Sequence, residues 1–90
     1  MSDSLVDRLL KVAQASPELE RIRRDVARHK VAGRHDPART LYSIERYVVE
    51  PSAIALAAAA SRDGGESLPW FRLYSREVRR EVAQRLVEGL

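Results

Sequence analysis

The chain predicts an all-α protein, a compact four- or five-helix bundle with an alanine-rich central helix. Three observations carry that expectation. Apolar residues recur at helical spacing through most of the ninety positions, and nothing alternates with period two for long enough to make a strand. The four prolines fall where helices start, and the four glycines fall where helices stop. One stretch, Ala53 to Ala60, has no polar face at all.

The first helix is expected from Ser4 to Ala15. Leu5, Leu9 and Val12 form its stripe, widened by Val6, Leu10 and Ala13, with Ser2 or Asp3 as the cap. Ser16-Pro17 opens the second. Serine is the N-cap and proline takes the first helical position, where a missing N–H costs nothing. Glu18 and Glu20 face the positive end of the dipole. Leu19, Ile22 and Val26 make the inward stripe, and Ala32-Gly33 stops the helix.

Asp36-Pro37 repeats the device for a third helix, with Leu41, Ile44 and Val48 facing inward. Glu50-Pro51 then favours a break, because the residue before proline avoids the helical region. A kink is the alternative, and it would merge two helices and leave four. The fourth helix, Pro51 to Ser61, is apolar all round between Ala53 and Ala60. Such a helix is normally enclosed by others, so it is expected at the bundle centre. Arg62-Asp63-Gly64-Gly65 predicts its end in a loop. The fifth is expected from Ser67 or Pro69 to Glu88, with Phe71, Tyr74, Val78, Val82 and Leu86 on one face and Gly89 as the stop.

Composition narrows the function classes. A chain of this length makes one domain. The absence of cysteine removes disulfides and thiolate metal sites and points to a reducing, cytoplasmic setting. The acidic, polar start Met1-Ser2-Asp3-Ser4 does not resemble a secretory leader, and the longest apolar run is too short to cross a bilayer. Sixteen basic residues against thirteen acidic ones leave a net charge of +3. That permits an acidic partner without requiring one. Lys11 and Lys30 are the only lysines. The arginine bias matches that of GC-rich genomes, which suits a bacterial-type protein.

No catalytic, cofactor or metal motif stands out. His29 and His35 lack a metal-ligand spacing, and Asp36 is accounted for as a cap. No serine sits in a nucleophile-elbow context, and no glycine loop is left over for phosphate. The expectation is a non-enzymatic accessory or regulatory protein with no cofactor, no small-molecule substrate and no membrane contact. Its leading interface is the C-terminal helix and the Trp70 region. Arg72, Arg76, Arg79 and Arg80 flank one side of the apolar stripe, and Glu77 and Glu81 the other. Such borders can choose a protein partner or a second copy of the chain. Trp70 adds an aromatic of the kind enriched at binding hot spots.

The alternative is nucleic acid. Arg21, Arg24 and Arg28 align on the second helix at about 100° per residue. Arg34 and Arg39 follow, in an arrangement like a helix-turn-helix whose connection is longer than usual.

Overall fold

In the computed structural model, residues 4–62 and 69–90 are described. Their helical segments are α1 (Leu5–Gln14), α2 (Pro17–Val31), α3 (Pro37–Ile44), a π-helical turn (Glu45–Val49), α4 (Glu50–Arg62), α5 (Trp70–Leu73) and α6 (Arg76–Glu88). No strand occurs among these residues. The all-α bundle holds. The backbone stays helical from α3 through the π turn into α4, so those three segments form one rod, and the bundle has five members.

The starts follow local chemistry. Ser4, rather than Ser2 or Asp3, caps α1 by accepting from the Asp7 N–H at 3.1 Å. Ser16 stands at the N-cap of α2 ahead of Pro17 but makes no side-chain cap bond. Asp36 caps α3 through two backbone donors, Ala38 and Arg39. The end of α2 is a Schellman closure: the Arg34 N–H reaches His29 O at 2.8 Å, and that of Gly33 reaches Lys30 O at 3.1 Å. Gly33 sits at φ +68°, where a side chain would be strained. The Gly64-Gly65 stop lies outside the described residues.

Pro51 does not break the chain. Proline has no N–H, and its ring collides with the carbonyl four residues back, here that of Tyr47. The widened turn just before it removes the collision. The Glu50 N–H bonds Glu45 O, five residues back instead of four. Arg46, Tyr47 and Pro51 are all exposed, so the proline lies on the outer side of the rod. Ser52 Oγ donates to Val48 O at 2.7 Å on the buried side.

The alanine-rich segment is not the centre. Only Ser52 and Ala53 of α4 are buried, while Ile54, Ala55, Ala58 and Ala60 are exposed. The hub is the π turn, which touches α1, α2, α3, α4 and α6. Ile44, Val48, Val49 and Ala53 are fully buried there, with Leu9 and Ala13 of α1 and Val82 and Ala83 of α6. The reason is area. An alanine methyl buries far less apolar surface than valine, leucine or isoleucine, so the larger side chains take the interior. The alanines keep their segment helical through propensity instead.

The fifth expected helix is two. Tyr74 leaves helical geometry at φ −113°, ψ 90°, and Ser75 recaps the chain by accepting from the Val78 N–H. Tyr74 is thereby buried, while Phe71, expected on the same face, turns outward. Arg79 Nε donates to Tyr74 O at 3.0 Å, which satisfies a carbonyl at the interruption.

Candidate interaction surfaces

The charged flanks of α6 are largely engaged within the chain. Arg80 Nε lies 3.1 Å from Glu45 Oε1 and ties α6 to the π turn. Glu81 pairs with Arg85 at 3.1 Å, and Arg85 also approaches Asp7 of α1 at 3.9 Å. Arg79 stacks over the Trp70 ring, 4.9 Å from its centroid. Trp70 is half-buried against the core, with Phe71 edge-on at 6.0 Å. Only Arg72, Arg76 and Glu77 of the expected interface are exposed without an ion pair among the described residues. The expected site residues are therefore brought together, but mainly as an intramolecular fastening. Such exposed pairs contribute little stability each. Arg80–Glu45 is the one of them that joins α6 to the π turn.

The arginine stripe of α2 is interrupted by carboxylates. Arg21 pairs with Glu18 at 3.4 Å and Arg23 with Glu20 at 3.7 Å, while Arg28 contacts Asp25. Each pair spans three residues on the helix surface. Arg24, Arg34 and Arg39 form no ion pair among the described residues. On α3, Thr40 is buried, its hydroxyl 3.3 Å from His35 Nε2. Arg46 binds both carboxylate oxygens of Glu50, at 3.2 and 3.3 Å.

Two further features emerge only in three dimensions. A cleft of about 550 Å³ opens between α2 and α3, lined by Ile22, Asp25, Val26, His29, Arg34, Asp36, Arg39, Thr40 and Ser43. Along the rod, an apolar face is left in water. Tyr47 is 55% exposed, Ile54 44%, and Pro51, Ala55 and Ala58 lie open on the same side by helical spacing. α5 also packs on α4, and its Phe71 is 53% exposed. The sequence carried the signal for this face, namely a helix with no polar side. That pattern suits enclosure by the same chain and covering by another chain equally well.

Tyr74 is buried in the core. Burial raises its phenol above the ordinary value, and the nearby Arg8 charge partly opposes this. No cluster of three or more potential metal ligands occurs among the described residues, and no described helix is long and apolar enough to cross a membrane. No protein-family model matches the chain, nor does any curated protein or solved structure.

Proposed function

We propose that the protein is a non-enzymatic binding module that docks an amphipathic helix of a partner protein on the outer face of α4. The exposure of Tyr47 and Ile54 on one face with uncovered alanines, and of Phe71 on the helix packed against α4, carries this reading. A contiguous apolar face in water is a common mark of an interaction site. Ala55 and Ala58 leave room for a second helix to approach closely, while Tyr47 and Phe71 supply aromatic anchors of the kind that dominate binding energy. Arg62 continues the line of the face, and the chain carries a net charge of +3. A partner helix flanked by carboxylates therefore suits it better than a second copy of the chain, which would bring like charges together. The helix that carries this face packs on α1 and α5, and Trp70 opens α5.

Nucleic-acid binding through Arg21, Arg24, Arg28, Arg34 and Arg39 has less behind it, because carboxylates neutralise much of the α2 stripe. A run of free cations is what a phosphate lattice requires.

The test compares tagged wild type with Ile54→Asp and Phe71→Ser in co-purification from the native source. Any partner found is then purified and titrated back. Both positions are exposed, so circular dichroism should show an unchanged fold. Affinity should fall more than about tenfold for Ile54→Asp, because a carboxylate would be desolvated in the contact. Equal affinity for wild type and both variants would sink the reading. A wild-type dimer in light scattering that Ile54→Asp dissolves would replace the heterologous partner with a second copy.

A further inference from the structure

The cleft between α2 and α3 holds acids that are already committed and bases that are not. Asp25 contacts Arg28 on its own helix. Asp36 Oδ1 accepts the Ala38 and Arg39 N–H groups at 3.1 and 3.3 Å, so it also neutralises the positive end of α3. Arg34, just past the Gly33 turn, and Arg39, in the first turn of α3, form no ion pair among the described residues. Both line the cleft with His29 and Ser43. On the inner side lie the apolar side chains of Ile22, half-buried, and Val26, buried.

We infer that this cleft binds a small phosphomonoester. Arg34 and Arg39 hold the phosphate, and the body of the molecule rests on Ile22 and Val26. Two guanidinium groups match a dianion in charge and in their planar, forked geometry. The Ser43 hydroxyl adds a donor at the wall. The volume, about 550 Å³, lies within the usual range for small-molecule sites. The pairing on α2 also sets the ligand size. With Arg21 and Arg28 occupied by carboxylates and Arg24 outside the cleft, Arg34 and Arg39 are the arginines that line it, enough for one phosphate but not for a strand of them. This site is separate from the outer face of α4 and does not depend on it.

The experiment is an NMR titration of the intact, isotope-labelled chain with four probes: adenosine monophosphate, adenosine, inorganic phosphate and a short DNA duplex. Adenosine monophosphate should shift the amides of Arg34, Arg39 and Ser43. Inorganic phosphate should shift the same amides more weakly, and adenosine should leave them unmoved. Arg34→Gln with Arg39→Gln, both at exposed positions, should weaken the nucleotide by more than about tenfold, since both charge-assisted contacts are lost. Arg24→Gln, outside the cleft, should bind as wild type does. The inference is overturned if the nucleotide shifts no cleft amide or binds the double variant equally well. It is overturned too if the duplex binds while the mononucleotide does not, which would assign the arginines to nucleic acid.

Discussion

Replacing Pro51 by alanine tests whether the π turn has removed the strain that proline would otherwise place on a helix. In a regular helix interior, proline is about 3 kcal/mol less favourable than alanine. That cost combines a lost hydrogen bond with the collision between the ring and the carbonyl four residues back. Here Glu50 already bonds Glu45, one position further back than usual, and Pro51 faces water. On this account the wider turn relieves the collision, and the remaining cost of proline is the missing N–H. What alanine can restore is one hydrogen bond, worth about 0.5–1.5 kcal/mol. Against it stands the greater freedom of the unfolded chain once proline is gone, a loss of about 0.4–1 kcal/mol. The two nearly cancel, so Pro51→Ala should alter stability by less than about 1 kcal/mol in either direction. The midpoint of thermal unfolding should then move by under about 8 °C. Urea denaturation followed by far-UV circular dichroism measures the free energy directly. A gain near 3 kcal/mol would show that the proline still strains the rod, and the account of the π turn would be wrong.

Two other outcomes follow from packing and ionisation. Leu9 is fully enclosed between α1 and the rest of the core, so Leu9→Ala should cost about 2–5 kcal/mol and lower the midpoint by more than about 10 °C. Val31→Ala, at a position 91% exposed, should leave stability unchanged. Similar unfolding curves for the two variants would show that α1 does not pack as described. Tyr74 holds its proton more tightly in the folded chain than in the unfolded one, because burial disfavours the phenolate. Its contribution is complete below the ordinary value of 10.0 and is lost as pH rises through the higher folded value. Tyr74→Phe should therefore flatten the decline of stability in alkali, and parallel wild-type and variant curves there would contradict the assignment.

The legible parts of the fold are those written in short local signals. Ser16-Pro17, Asp36-Pro37 and Gly33 each act within a few residues, and each marks the boundary it was expected to mark. The π turn has no such signature. Glu50-Pro51 is compatible with a stop or a kink, and a widened turn is a third solution, selected here by burying Val48 and Val49 together. The Ser75 cap was readable in principle. Serine ahead of a helical run is a start signal, but the apolar periodicity runs straight across it and masks it. The position of the alanine segment depended on competition among all the apolar side chains for one interior, which no single stretch records. For the surfaces, charge order along α2 and α6 showed which residues could pair. It did not show that Arg80 would cross to Glu45, thirty-five positions away.

The attachment of α2 has a thermodynamic consequence. Only Leu19 and Val26 of its fifteen residues are buried, and from Ala27 onward every side chain of the helix is exposed. Among the described residues, Lys30 Nζ reaching Leu90 O at 3.2 Å is the one side-chain hydrogen bond from this half of the helix to a distant part of the chain. Stability is not shared evenly in such an arrangement. The second half of α2 can open at a small fraction of the global unfolding cost, and its amides should exchange with solvent well before those of the π turn. The rim of the α2–α3 cleft at His29 therefore belongs to the segment that opens most easily, while Ile22 and Val26 stay with the anchored half. A ligand held there would draw its apparent affinity from the closed fraction of that segment, and would in turn slow the exchange of amides it never touches.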